Sequence, residues 1–99
     1  MLFALMGTDR PDSLETRKRV RPEHLARIAA LRDAGRLVVA GPHPRVDSPE
    51  IGPAGVAGSL IVAEFATRAD AEEWFRADPY CIHGVFTETR VLPFIQVMP

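Results

Sequence analysis

The chain has 99 residues, 46% hydrophobic and 25% charged, with a formal net charge of -1. That is the composition of one globular domain, and nothing in the near-neutral balance points to nucleic-acid binding, which needs a clustered basic surface. A single cysteine, Cys81, allows no internal disulfide and fits a reducing cytoplasm. The first residues lack the basic stretch of a signal peptide, and no apolar run reaches the roughly 20 residues of a membrane span. A chain this small buries only about two-thirds of the surface it exposes when unfolded, so association with a second copy would add burial.

Leu2 to Thr8 is an apolar run of strand length. Asp9-Arg10-Pro11-Asp12 predicts a turn, and Asp12 or Ser13 a helix N-cap. Pro22 predicts a kink or a restart in this helix, because proline removes a backbone donor and crowds the preceding turn. The helix extends to about Ala34, with Gly35 as the residue that leaves it. Arg36 to Ala40 predicts a second strand. Gly41 to Gly58, with four prolines, predicts a long loop bordering a pocket or a partner subunit. Ser59 to Phe65 predicts a third strand. Thr67 caps a second helix, Arg68 to Ala77, which Asp78-Pro79 ends. Val85 to Val97 predicts a last strand, placed at a sheet edge by Pro93.

The order βαββαβ predicts a ferredoxin-like α+β sandwich, one domain over residues 1–99, with two helices on one face of an antiparallel sheet. The first strand is apolar on both parities, as Leu2, Ala4 and Met6 against Phe3 and Leu5. The third repeats this, with Leu60 and Val62 against Ile61, Ala63 and Phe65. A sheet half-exposed to water would alternate. Two helices cover one face only, so the other is expected to pack on a second copy, as a face-to-face homodimer.

Chemistry centres on His24. At 100° per residue His24, Ile28 and Leu31 share a face, so the imidazole points toward the core or a pocket at its edge. It needs a partner there, because an unsatisfied buried polar group costs about 1–3 kcal/mol. Arg17 and Arg21 project within about 60° of it and are candidates to hold an anionic substrate; both could equally be solvated surface charges. Asp78 is a candidate N-cap of a short turn, Pro79-Tyr80-Cys81-Ile82, and also a carboxylate able to orient an imidazole. Ser59, after Gly58 at a strand start, is a candidate hydrogen-bond donor. Cys81 with His83 would be a nucleophile pair only if the two touch and the thiol is exposed. Trp74 and Phe75 read as core, with one of them able to line a pocket. No histidine is spaced for zinc, and no phosphate or dinucleotide loop is present, so no metal or cofactor is expected.

Together, Asp12-Ser13-Leu14-Glu15, Arg17, Arg21-Pro22-Glu23-His24-Leu25, Gly35-Arg36-Leu37, Ala40-Gly41-Pro42, Gly58-Ser59, Ala63-Glu64-Phe65, Ala77-Asp78-Pro79-Tyr80 and Pro93-Phe94 resemble the YciI (YCII-related) family over nearly the whole chain. The resemblance implies the dimeric α+β barrel superfamily, which includes muconolactone isomerases and small cofactor-free oxygenases. It also implies a histidine–aspartate pair in a pocket, which falls on His24 and Asp78.

Two functional readings follow. In the first, a cofactor-independent cytoplasmic enzyme uses His24 as general acid or base, oriented by Asp78. It does lyase- or isomerase-type proton transfer on a small anionic or phenolic metabolite held by Arg21, Arg17 and Ser59. In the second, a homodimer binds a small ligand or a protein without catalysis, and the pair is structural.

Overall fold

Strand, helix, strand, strand, helix and strand follow in the expected order. The computed structural model describes residues 1–99. The elements are β1 (Leu2–Asp9), α1 (Leu14–Asp33), β2 (Leu37–Pro44), β3 (Val56–Glu64), α2 (Arg68–Arg76), a short α3 (Pro79–Ile82) and β4 (Phe86–Phe94). The strands form one antiparallel sheet in the order β2-β3-β1-β4. This is the ferredoxin-like α+β architecture, with apolar β1 and β3 at its centre.

The two parities of the central strands have different fates. Phe3 and Leu5 of β1 pair with Ala63 and Ile61 of β3. These four, with Phe65, meet Ile28 and Leu31 of α1 and Ala71 and Phe75 of α2 in the main core. The other parity, Leu2, Ala4, Met6, Leu60 and Val62, lies on the opposite face, and register continues it onto Leu92 and Phe94 of β4. No helix covers that face, and Leu92 and Phe94 are exposed on it.

Three expectations need correction. Pro22 does not interrupt the first helix, since α1 runs unbroken from Leu14 to Asp33. Pro22 stands on the exposed side, where water can take the carbonyl it leaves unbonded. Val20 and His24 on either side are buried and anchor the helix. The long loop is shorter than its prolines implied. β2 continues through Pro42 to Pro44, and β3 begins at Val56. β2 is an edge strand paired only with β3, where a missing backbone donor is tolerated. Residues 45–55 remain as the connection, with one 3₁₀ turn at Gly52–Ala54. The last strand stops at Phe94 rather than Val97. Its edge position is as Pro93 indicated.

Two glycines allow close packing next to the site. A Cβ on Gly58 would lie 2.3 Å from the Gly7 carbonyl oxygen, and one on Gly7 would lie 2.6 Å from the Phe86 ring. Phe86 can therefore lie over β1 and meet Tyr80 edge-on. Ser59 is thereby drawn close to β1, with its side chain on the helix side of the sheet.

Candidate active site

The inward stripe of α1 is Arg17, Val20, His24, Ile28 and Leu31. Ile28 and Leu31 enter the main core. The N-terminal half, Arg17 to His24, packs instead on α3, where Val20 joins Tyr80 and Val85 in a second apolar cluster. One helix face thus changes from apolar to polar and titratable along its length.

His24 and Asp78 are brought into direct contact, Nδ1 to Oδ2, at 2.8 Å. Asp78 is completely buried, and its position follows from local rules. α2 ends at Arg76, Pro79 holds Asp78 extended (φ -68°, ψ 141°), and Asp78 caps α3. Its Oδ2 accepts the Tyr80 backbone N–H at 3.0 Å as well as the His24 bond, so capping and orienting are done by the same oxygen. Its Oδ1 accepts Arg27 Nη1 at 3.1 Å. Arg27 also donates to the Trp74 carbonyl at 2.8 Å and lies 4.2 Å over the Trp74 ring. Trp74 is thus the partly buried aromatic, and Phe75 the core one.

With Nδ1 on a carboxylate, the neutral imidazole carries its proton on Nδ1 and a lone pair on Nε2. Nε2 has no protein partner, yet no buried side-chain polar atom is left unpaired. Nε2 is therefore open to the cavity of ≈ 180 Å³ that His24 lines together with Arg17, Arg21, Ser59 and Tyr80.

Arg17 is less free than its place on the helix suggested. Its guanidinium is buried and forms a two-pronged pair with Asp9, Nε to Oδ2 and Nη2 to Oδ1, each 2.7 Å. Nη2 also donates to Ser59 Oγ at 2.8 Å. Ser13, at the N-cap position, makes no cap bond and donates to Asp9 instead. The Tyr80 ring fills the two-turn gap on α1. Arg17 lies 4.6 Å over it, and the His24 ring stacks on it at 3.9 Å and 16°. Burial pushes the Tyr80 phenol above its usual range against the pull of Arg17 and Arg21, with Asp78 adding to the rise. The phenol stays protonated at neutral pH. Arg21 is exposed at the cavity mouth, outside every ion pair.

Sequence reasoning missed Asp9, Arg27 and Tyr80. Arg27 stands one turn after His24, and Tyr80 two residues after Asp78, so both had a local signal. Asp9 had none beyond being read as part of a turn.

His43 and His83 are exposed and away from this cavity. Burial, then the charge of Asp78, pushes the Cys81 thiol up to about 11. A protonated thiol is a poor nucleophile, which weighs against the Cys81–His83 alternative.

The YCII-related domain model matches residues 1–95. The chain belongs to this family. Protein YciI of Escherichia coli O6:H1 is 48% identical over 97 residues, covering 98% of this chain and 99% of that protein. An uncharacterized protein of Haemophilus influenzae is 38% identical over the same length and coverage. Among solved structures, 5-chloro-2-hydroxyhydroquinone dehydrochlorinase (TftG) from Burkholderia phenoliruptrix, complexed with 2,5-dihydroxybenzoquinone, superposes with a TM-score of 0.84. It is 26% identical, over 96% of this chain and 94% of that one.

The thiol assignment has a direct check. Alkylation of Cys81 by iodoacetamide in the folded protein should be slow at pH 8 and rise toward half-maximal near pH 11, as the thiol ionises. A profile centred near the usual thiol value of about 8.5 would contradict the burial argument.

Proposed function

We propose that this YCII-related chain is a small-molecule enzyme in which His24 is the general acid–base and Asp78 holds it. The observation that carries this is the division of labour on the His24 ring. Nδ1 is engaged by a buried carboxylate, while Nε2 opens on a cavity with cationic walls. The substrate class we infer is a small hydroxylated ring or a related enolisable anion. An apolar cavity of about 150 Å³ accepts a benzene ring, comparable to the ≈ 180 Å³ beside His24. The neighbouring dehydrochlorinase acts on a hydroxylated hydroquinone, which supports the same class.

The chemistry is proton transfer. Nε2 takes the proton of a ring hydroxyl, and the imidazolium so formed is stabilised against Asp78. The oxygen's electron pair moves into the ring. Return of the proton from Nε2 to a ring carbon gives the keto tautomer, an isomerisation. If the carbon that took the proton also bears a leaving group, the departure of that group with the bonding pair, with loss of a second ring hydroxyl's proton to Nε2, completes an elimination to the quinone. Arg21 stands at the mouth, where it can hold an anionic substituent of the substrate. Arg17 is held in position by Asp9, and Ser59 accepts from it while keeping its own hydroxyl proton to donate.

His24→Ala should abolish turnover of chlorinated hydroxyhydroquinones, followed as chloride release, with the circular dichroism spectrum retained. Asp78→Asn should lower turnover about 10²–10⁴-fold, the usual contribution of a positioned acid–base group. Unchanged turnover in either variant would contradict the His24–Asp78 assignment, and wild-type protein that binds such rings without turning any over would replace the enzyme by a binding module.

We further infer that two copies pack face to face through the open side of the sheet, where Leu2, Met6, Leu60, Leu92 and Phe94 form an apolar surface that no helix covers. Stable homodimers bury roughly 2,000 Å² or more. Leu60, on the open face, is the position to charge, because Ile61 lies in the helix-side core. Sedimentation should give a dimer at micromolar concentration, and Leu60→Glu a monomer or insoluble protein. A stable wild-type monomer would contradict the assembly.

A further inference from the structure

The cavity beside His24 is the smaller lobe of a larger hollow. A second lobe of ≈ 700 Å³ shares Arg17, Arg21, Pro42 and Tyr80 with it. One wall is the flank of α1 carrying Leu14, Lys18 and Arg21. The other is the 3₁₀ turn and the start of β3, with Ile51, Pro53 and Val56. A single small ring at His24 leaves this lobe empty.

Its electrostatics are one-sided. Arg17, Lys18 and Arg21 line the two lobes, and neither lobe has a carboxylate among its lining residues. Arg17 is neutralised by Asp9 at 2.7 Å. Lys18 and Arg21 are not. The nearest carboxylate to Lys18 is Glu15, 4.0 Å away and 90% exposed, a distance and exposure at which an ion pair contributes little. Two uncompensated cations therefore stand above an apolar wall, one turn apart. On the helix, Lys18 lies about 9 Å and Arg21 about 4.5 Å along the axis from His24.

We propose that the substrate has two parts. A hydroxylated ring sits at His24, and a short apolar stretch along Ile51, Pro53 and Val56 leads to an anionic tail held between Lys18 and Arg21. The ring end rests on the acid–base reading above; the anion site does not. The tail is a carboxylate or a phosphate ester, the two chemistries that paired cations recognise. Lys18 and Arg21 act here as specificity residues, favouring tailed rings over the bare ring.

The test compares three probes by titration calorimetry at low salt: 3-(4-hydroxyphenyl)propanoate, its neutral amide, and 2-(4-hydroxyphenyl)ethyl phosphate. At least one anion should bind more tightly than the amide, and the advantage should shrink at high salt. Lys18→Gln, a change on an exposed side chain, should weaken the preferred anion about three- to tenfold and leave the amide unchanged. Which anion binds better identifies the tail. Equal binding of amide and anions, a preference indifferent to Lys18→Gln, or no binding of either anion at millimolar concentration would overturn the proposal. His24→Ala keeps the two readings apart. If the anion preference survives in wild-type and His24→Ala protein while no ring compound is turned over, the enzyme reading fails and the tail site stands.

Discussion

A carboxylate that no water reaches is the constraint on which the site depends. Removing an ion from water costs several kcal/mol even after relaxation, unless partners replace the lost hydration. Asp78 meets this with three donors, His24 Nδ1, the Tyr80 backbone N–H and Arg27 Nη1. They come from α1 and from the first turn of α3. The end of α2, the whole of α3 and the middle of α1 are therefore pinned at one point, and the imidazole tautomer is set by the same bonds that set the packing. Orientation of the imidazole and structural satisfaction of a buried charge are one arrangement.

Asp9 repeats the device one end further along α1. It too is buried, and its donors are Arg17 and Ser13. Between the two carboxylates the Tyr80 ring lies against both Arg17 and His24. A cation and an imidazole from α1 thus both contact the aromatic ring that α3 supplies, with the sheet residue Ser59 reached from Arg17. Stacking of this kind contributes about 0.5–1.5 kcal/mol per aromatic pair. Its larger consequence is rigidity. The His24 ring has one edge on Asp78, one face on Tyr80 and its free nitrogen toward the cavity.

Much of the fold was legible because its signals are local. The apolar runs of β1 and β3, the Gly35 exit from α1 and the Asp78-Pro79 stop after α2 each follow from backbone chemistry within a few residues. The inward direction of His24 followed from its spacing to Ile28 and Leu31. The prolines misled twice, and for one reason. Their cost depends on what replaces the lost hydrogen bond, which only the tertiary structure decides. Pro22 lies on the wet side of a helix anchored on its other side, and Pro42 lies on an edge strand. Asp9 was invisible because its pairing with Arg17 is set by packing of β1 on α1, and its bond from Ser13 takes a hydroxyl that the sequence offered as an N-cap. The contact between His24 and Asp78 had no local signal either. Periodicity gave each residue a direction, and the resemblance to a known family suggested the pair.

The most direct test of the account is the tautomer of His24 in its neutral form, read by nitrogen-15 NMR of the ring. The arrangement around Asp78 predicts a proton on Nδ1, bonded to the carboxylate, and an unprotonated Nε2 toward the cavity. A neutral ring protonated on Nε2 would leave no lone pair there for proton abstraction, and would contradict the assignment of His24 as the acid–base group.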